Sequence, residues 1–175
     1  MASWDATPGV VLRAQVGGVR TWDMSAVGIR TATEADLPRL RALYRDSSWS
    51  NEGDRALLAE HPELLELSAD AVRAGRTRVA VIDGHIVGFA SIADADDGLE
   101  LEDLFVDPAV GRRGIGRALV RDVVERARRR GVGRVQLDAN QHAVGFYEEV
   151  GFVAGAQVAR DHGTTIRMTL IVDGP

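Results

Sequence analysis

A loop rich in glycine and arginine is the stretch of this sequence that most directly indicates chemistry. It has the sequence Gly111-Arg112-Arg113-Gly114-Ile115-Gly116-Arg117 and follows Asp107-Pro108 at the end of an apolar segment. An amphipathic segment that predicts a helix begins at Gly114. The first N–H groups of a helix have no internal partner and carry partial positive charge. The glycines permit a ligand to approach the backbone closely, and the arginines add positive charge. The loop therefore predicts a phosphate or pyrophosphate site.

Acidic residues precede this loop on a strand predicted over residues 99–106. Glu100 and Glu102 are two positions apart in the sequence. Regular alternation along a strand places both of them on one face of the sheet and Asp103 on the other. We therefore expect the two glutamates to act on the same side of the sheet.

The histidines and the absent residue types limit which kinds of catalysis and metal binding are possible. The sequence has no cysteine and no lysine, which excludes disulfides, thiolate metal sites, a cysteine nucleophile and Schiff-base catalysis. The four histidines are scattered along the chain and show no metal-ligand spacing. We therefore expect no metal cofactor.

The elements that position these residues are predicted from Gly28 onwards. Periodicity and turn signals predict strands over 28–32, 78–82, 85–90, 99–106, 132–138, 152–158 and 164–172. They predict a helix from Thr33, with Asp36 at the spacing of a capping box. They predict further helical segments over 57–75, broken by Pro62, over 114–130 and over 142–150, with a loop over 47–53. Asp83-Gly84 predicts a two-residue hairpin turn between the second and third strands. This order of elements predicts an α/β fold, a single domain with a mixed central β-sheet flanked by helices.

A short N-terminal extension, residues 1–27, precedes the domain at 28–175. Gly17-Gly18 lies between two short segments with strand character and predicts a β-hairpin, with a partly ordered leader as the alternative. A hairpin there has an unpaired strand edge, so we expect a homodimer that pairs through this segment.

Length and charge limit the classes of function. A chain of 175 residues with 45% hydrophobic residues is typical of one soluble domain. The net charge of −5 disfavours nucleic-acid binding. No segment approaches the roughly 18 consecutive apolar residues of a membrane span, and the N-terminus lacks the pattern of a signal peptide. We therefore expect a cytoplasmic protein that binds neither nucleic acid nor membrane.

The glycine-arginine loop has two interpretations. In the first it is a nicotinamide dinucleotide site, because Gly114-x-Gly116 opens a helix and the next predicted strand ends at Asp138. Against it, Leu119 stands at the third glycine position, and the loop is longer than the tight turn of that motif. The second interpretation rests on a family resemblance.

Two segments of the chain are similar to motifs of one enzyme family. The segment from Pro108 to Leu119 resembles motif A of the GNAT acyltransferases, Arg/Gln-x-x-Gly-x-Gly/Ala. The segment from Asn140 to Phe152, NQHAVGFYEEVGF, resembles motif B. The resemblance covers residues 28–172 and departs from the family at Gly111, where arginine or glutamine is usual. It implies a GNAT-like fold, which agrees with the predicted order of elements.

The resemblance implies that acetyl-CoA is the acyl donor. Its pyrophosphate would lie on the glycine-arginine loop, and its pantetheine would run between the strands predicted at 99–106 and 132–138. A backbone N–H near Phe105 or Val106 would polarise the thioester carbonyl. The implied acetyl-CoA-binding residues are Leu104, Phe105, Val106, Arg112, Arg113, Gly114, Ile115, Gly116, Arg117, Ala118, Asn140 and Tyr147.

The resemblance also implies a reaction. A primary amine, on a small molecule or a peptide, would attack acetyl-CoA directly in a ternary complex. Tyr147 would act as the general acid that protonates the CoA thiolate, and Glu100 or Glu102 would accept the proton of the amine. The alternative is a CoA-binding sensor or scaffold module with little catalysis, which the departure at Gly111 favours.

Overall fold

The computed structural model describes residues 27–50, 55–160 and 163–173. These residues form seven strands and five α-helices, joined by turns and short 3-10 helices. The N-terminal hairpin and the dimer contact that we assign to it fall on residues 1–26, outside the described residues.

The element bounds are close to those predicted. The strands are β1 Gly28–Thr31, β2 Thr77–Ile82, β3 His85–Ala95, β4 Gly98–Val106, β5 Arg134–Ala139, β6 Val153–Arg160 and β7 Gly163–Ile171. The helices are α1 Leu37–Ser50, α2 Arg55–Glu60, α3 Asp70–Arg73, α4 Ile115–Arg129 and α5 Val144–Glu149. No helix among the described residues is long and apolar enough to cross a membrane.

Several bounds differ. The helical region predicted over 57–75 is two short helices, α2 and α3, with a 3-10 turn at Pro62–Leu65 between them, and β3 extends to Ala95. In addition, α1 continues into the predicted loop as far as Ser50. The Ser50 hydroxyl donates a hydrogen bond of 2.6 Å to the carbonyl oxygen of Ser47. The last carbonyl groups of a helix have no intrahelical partner, and this bond satisfies one of them. The extra turn brings Ser47 to Val106 at the end of β4.

The sheet has the strand order β1-β2-β3-β4-β5-β7-β6, and every neighbouring pair is antiparallel except β4 and β5. One core lies between the sheet and α4, where Ile115 and Leu119 are buried. A second core lies on the other face, where Leu40 and Leu43 of α1 pack with Phe89. The predicted mixed sheet flanked by helices is confirmed.

The parallel pair β4 and β5 separates soon after it begins. The paired residues are Leu99 with Val135 and Glu100 with Gln136. The strands are close at this end, because a Cβ on Gly98 would overlap the backbone of Arg134. Beyond Glu100 they have no further pairing. A gap therefore opens at the carboxyl ends of the two strands.

A β-bulge in β4 changes which acidic residues share a face. The register skips at Glu102, which has no partner on β3. The pairs on either side are Ser91 with Asp103 and Ile92 with Leu101. The extra residue reverses the alternation, so Asp103 lies on the same face as Glu100, the face on which α1 packs. The prediction that Asp103 lies on the opposite face is wrong, because strict alternation fails at a bulge.

Two predictions from local sequence are confirmed. Strands β2 and β3 form the predicted hairpin, and its turn residues Asp83 and Gly84 have positive φ angles of 49° and 76°. Ahead of α1, the Asp36 carboxylate accepts hydrogen bonds from the Thr33 N–H at 2.8 Å and from the Thr33 hydroxyl at 3.0 Å. This is the predicted capping-box arrangement.

Candidate active site

A cavity of about 790 Å³ lies beside the end of β4, beyond the point where its pairing with β5 ends. Residues of α1, β4, the loop before α4, the start of α4, the 3-10 turn after β5 and α5 line it. Its volume lies within the usual range for small-molecule and cofactor sites. The residues that line it are Ser47, Leu104, Val106, Gly111, Arg112, Gly114, Ile115, Gly116, Arg117, Ala143, Phe146, Tyr147 and Glu149.

The glycine-arginine loop forms the polar end of the cavity. Arg112 and Gly114 both have left-handed backbone conformations, with φ angles of 60° and 82°. Such conformations direct successive backbone N–H groups into a concave surface that binds anions. Neither Arg112 nor Arg113 forms an ion pair with a residue that the structure describes, whereas Arg117 lies 3.6 Å from a carboxylate oxygen of Glu149. The loop therefore suits a pyrophosphate group.

The end of β4 forms one wall and leaves part of its backbone unpaired. The Asp107 N–H donates to the Val87 carbonyl oxygen at 2.8 Å, toward β3. Because bonding direction alternates along an antiparallel pair, Leu104 and Val106 direct their N–H and C=O groups into the gap. The Ser47 hydroxyl donates to the Val106 carbonyl oxygen at 3.3 Å. This edge suits the amide groups of an extended ligand.

Phe105 does not share this orientation. Its register position directs its backbone toward β3. Its ring packs against Tyr44 and Phe89, with centroid distances of 4.7 Å and 5.5 Å. Of the two N–H groups predicted to polarise a thioester, only that of Val106 faces the gap. The expectation for Phe105 is corrected, because neighbouring residues of a strand bond in opposite directions.

Tyr147, on α5, also lines the cavity. Its ring contacts Phe146 and Phe152, with centroid distances of 5.2 Å and 5.6 Å. Burial, and to a smaller extent the charge of Asp103, raises the pKa of the Tyr147 phenol to about 12. The phenol is therefore protonated at neutral pH and is able to donate a proton.

The two glutamates predicted to accept a proton are both paired with arginine. Nη1 of Arg167 donates to both carboxylate oxygens of Glu100 at 2.8 Å. Nη1 of Arg76 donates to Glu102 at 3.1 Å. Neither glutamate lines the cavity. Protonation of either side chain would weaken an existing ion pair.

Asp103, on β4, is an acidic residue that the sequence analysis did not select, and it lies outside the lining of the cavity. Burial raises its pKa to about 6, a hydrogen bond from Ser91 opposes the shift, and the charge of Glu102 adds to it. After burial, the Asp103 charge is the second cause that raises the pKa of both Tyr44 and Tyr147. No local sequence signal marks the bulge that turns Asp103 to this face.

The structure brings some of the predicted ligand-binding residues to the cavity and leaves others outside its lining. Those that line it are Leu104, Val106, Arg112, Gly114, Ile115, Gly116, Arg117 and Tyr147. Those outside the lining are Phe105, Arg113, Ala118 and Asn140. Asn140 lies at the N-cap position of the 3-10 turn after β5, and its side chain makes no capping hydrogen bond.

Five lining residues were not selected from the sequence. They are Ser47, Gly111, Ala143, Phe146 and Glu149. Phe146 packs closely on the start of α4, since a Cβ on Gly116 would lie 3.1 Å from its ring. Its place beside Tyr147 in the motif B segment was a usable signal. Ser47 had none, because it is 59 residues from Val106 in the chain.

Comparison with known proteins agrees with this geometry. A model described as "Acetyltransferase (GNAT) family" matches residues 36–152. Glucosamine 6-phosphate N-acetyltransferase 1 of Oryza sativa subsp. japonica is 33% identical over 138 residues, 75% of this chain and 84% of that protein. The peptidyl-lysine N-acetyltransferase YjaB of Salmonella typhimurium is 32% identical over 139 residues, 78% of this chain and 91% of that protein.

A solved structure shares the fold. PaiA N-acetyltransferase of Thermoplasma acidophilum, in complex with coenzyme A, aligns with a TM-score of 0.68 and 19% identity, over 83% of this chain and 99% of that one. The family match covers more than half of the chain, and the two relatives match along most of their length. The chain therefore belongs to the GNAT family of acetyltransferases.

Proposed function

We propose that this protein transfers the acetyl group of acetyl-CoA to a primary amine by direct attack in a ternary complex. The observation that carries the proposal is the cavity beside the end of β4. Its lining combines a loop suited to an anion, unpaired backbone groups of β4 and a protonated phenol. Acetyl-CoA presents pyrophosphate, amide and thioester groups, so the residues present fit it.

The proposed roles follow from these positions. Backbone groups of Leu104 and Val106 would bond the pantetheine amides, and the Val106 N–H would polarise the thioester carbonyl. Tyr147 would protonate the departing thiolate. That Glu100 or Glu102 accepts the amine proton stays a prediction, and the ion pairs of both residues weigh against it.

Binding of the donor is tested by thermal unfolding with acetyl-CoA, CoA and NADH in parallel. A ligand at about 100 times its Kd adds about 2.7 kcal/mol to the unfolding free energy. For a domain of this size we expect the Tm to rise by about 5–10 °C with either CoA species and not with NADH. A shift with NADH alone would support the dinucleotide interpretation, and no shift with either CoA species would contradict the proposal.

Catalysis is tested by release of free CoA thiol in the presence of amines. The names of the two relatives give two kinds of acceptor, glucosamine 6-phosphate and a lysine side chain in a peptide. We propose these two as the first probes, with ethanolamine as a minimal amine. Amine-dependent thiol release supports the enzyme. CoA binding without it would favour the sensor or scaffold module instead.

A further inference from the structure

A second cavity, of about 280 Å³, lies at the end of α4 that is remote from the glycine-arginine loop. The residues that line it are Arg78, Arg126, Arg129 and Arg130, and we call it the arginine pocket. It shares no lining residue with the cavity beside β4. Because α4 is about 20 Å long, the two cavities are separate sites.

The helix dipole explains only part of this cluster. Cations in the last turn of a helix complement its dipole, and two of the lining residues also have acidic partners. Arg129 lies 3.6 Å from a carboxylate oxygen of Glu125, and Arg130 forms an ion pair with Asp94. Neither effect requires Arg78, which β2 brings to the same cavity.

Arg78 is held in a fixed orientation by its neighbours. Its Nε and Nη2 donate to the two carboxylate oxygens of Asp122 at 2.8 Å and 2.9 Å. Its Nη1 donates to the Thr31 hydroxyl at 2.8 Å, and its Nη2 also donates to the Ile29 carbonyl oxygen at 3.4 Å. A side chain that is already ordered loses little entropy when a ligand binds beside it. Arg78 therefore provides a preorganised positive charge.

Arg126 is the lining residue that has no acidic partner. It is half-buried, and it forms no hydrogen bond or ion pair with any residue that the structure describes. Burial, and then the charges of the other arginines in the pocket, lower its pKa, although the charge of Asp122 opposes this shift. An anion in the pocket would offset the repulsion among these charges and would accept hydrogen bonds from the Arg126 guanidinium.

The lining also limits the class of anion. Guanidinium groups match the oxygens of phosphate with paired N–H donors. Among the described residues, no aromatic or apolar side chain lines the pocket to hold a base or a sugar ring. The volume is just below the usual range of about 300–1,000 Å³ for small-molecule sites. These features favour a compact phosphate anion over a nucleotide.

We propose that the arginine pocket binds a compact phosphate anion of the pyrophosphate class, at a site separate from that of acetyl-CoA. The anion would lie between Arg126 on α4 and Arg78 on β2, with Arg129 and Arg130 at its sides. It would thereby link the end of the helix to the sheet. This inference does not depend on the proposed acetyl transfer.

The test is calorimetric titration with inorganic pyrophosphate at low ionic strength. A hydrogen-bonded charge pair contributes about 1.5–3 kcal/mol, so we expect Arg126→Gln to weaken binding about 10- to 100-fold. Arg129→Gln removes an exposed lining residue and should also weaken binding. Arg121→Gln, exposed on α4 outside the pocket, is the matched control. It removes the same charge and should change the Kd by less than about twofold.

Pyrophosphate also suits the glycine-arginine loop, so the titration is repeated in the presence of saturating CoA. We expect the binding that depends on Arg126 to persist there, because CoA would occupy only the loop. Loss of all pyrophosphate binding on addition of CoA would assign the anion to the loop and overturn the proposal.

The variants give the other outcomes. A Kd that is unchanged in both Arg126→Gln and Arg129→Gln overturns the site. An equal loss in Arg121→Gln also overturns it, because binding would then reflect the general charge of α4. Arg126-dependent binding of a ten-residue oligothymidylate, without binding of pyrophosphate, would indicate a nucleic-acid surface instead. If CoA does not bind, the proposed function is contradicted, and the comparison of Arg126→Gln with Arg121→Gln still decides this inference.

Discussion

The proton-donating role proposed for Tyr147 depends on the side chains that surround its ring. Phe146 and Phe152 bury its ring, and the Asp103 carboxylate disfavours a second negative charge beside it. Both effects keep the proton on the phenol. An acid that stays protonated until a thiolate forms next to it is suited to that single transfer.

Replacement of Tyr147 by phenylalanine tests this role. Tyr147→Phe keeps the ring and its packing and removes the acidic proton. We expect kcat to fall about 10²- to 10³-fold, while CoA affinity stays within about threefold because the donor contacts lie on β4 and the loop. Steady-state kinetics and calorimetric CoA titration measure the two effects.

Tyr44, whose phenol pKa is also raised by burial, provides the control. Tyr44→Phe keeps the edge-to-face contact with Phe105 and is expected to change kcat by less than about threefold. Equal losses in Tyr44→Phe and Tyr147→Phe would contradict the assignment of Tyr147 as the acid. They would show instead that both phenols act through the charge of Asp103.

Among the elements, the pair β4 and β5 determines whether a site exists. The two strands are tight at Gly98 and open beyond Glu100. A parallel pair that continued to the end of β4 would use the N–H and C=O groups of Leu104 and Val106 within the sheet. The early end of the pairing leaves those groups for a ligand.

Gly98→Ala tests the tight end of the pair. A Cβ at this position would overlap the carbonyl oxygen and the side chain of Arg134, so β4 and β5 must move apart. We expect a loss of about 1–3 kcal/mol in unfolding free energy, or about 3–10 °C in Tm. Thermal unfolding measures it.

A glycine at the start of the neighbouring strand is the control for this prediction. A Cβ on Gly133 would meet no atom within 4 Å, so Gly133→Ala should leave the Tm within about 1 °C. Equal stability of Gly98→Ala and the wild type would show that the strands separate at this end without cost, and the tight contact would then not define the gap.

The elements also show how far the sequence allowed prediction. The hairpin of β2 and β3 was predictable because the conformation of Asp83-Gly84 depends on those residues alone. The start of α4 was predictable because glycine, arginine and an amphipathic period lie together. The bulge at Glu102 was not predictable, because the register of β4 is determined by packing against β3.

Site residues that lie in continuous sequence motifs were predicted, whereas those that meet through long-range contacts were not. The loop and Tyr147 lie in continuous motifs and were selected from the sequence. Ser47 contacts Val106 from another part of the chain, and Asp103 shares a face of the sheet with Glu100 only because of the bulge. Long-range contacts of this kind leave no periodic signal in a single sequence.

For the whole molecule, two aspartates act on stability in opposite directions as pH changes. Arg30 and hydrogen bonds from Thr33 hold the pKa of Asp36 well below its usual range, so that contribution is present at neutral pH and is lost in acid. Burial raises the pKa of Asp103 from 3.8 to about 6. Its neutral form is favoured by folding, so the ionised form lowers stability above pH 6.

Asp103→Asn is therefore expected to be more stable than the wild type at pH 8. A rise in pKa from 3.8 to about 6 corresponds to about 3 kcal/mol, or about 5–10 °C in Tm, as an upper value. The difference should shrink as pH falls from about 6 toward 3.8 and vanish about one pH unit below 3.8, where Asp103 is protonated in both the folded and the unfolded state. Thermal unfolding of both proteins from about pH 3 to about pH 8 measures it, with Asp96→Asn, in the exposed turn between β3 and β4, as the control. A difference in Tm that does not change with pH would contradict the raised pKa of Asp103. It would indicate instead that the amide side chain changes stability through packing.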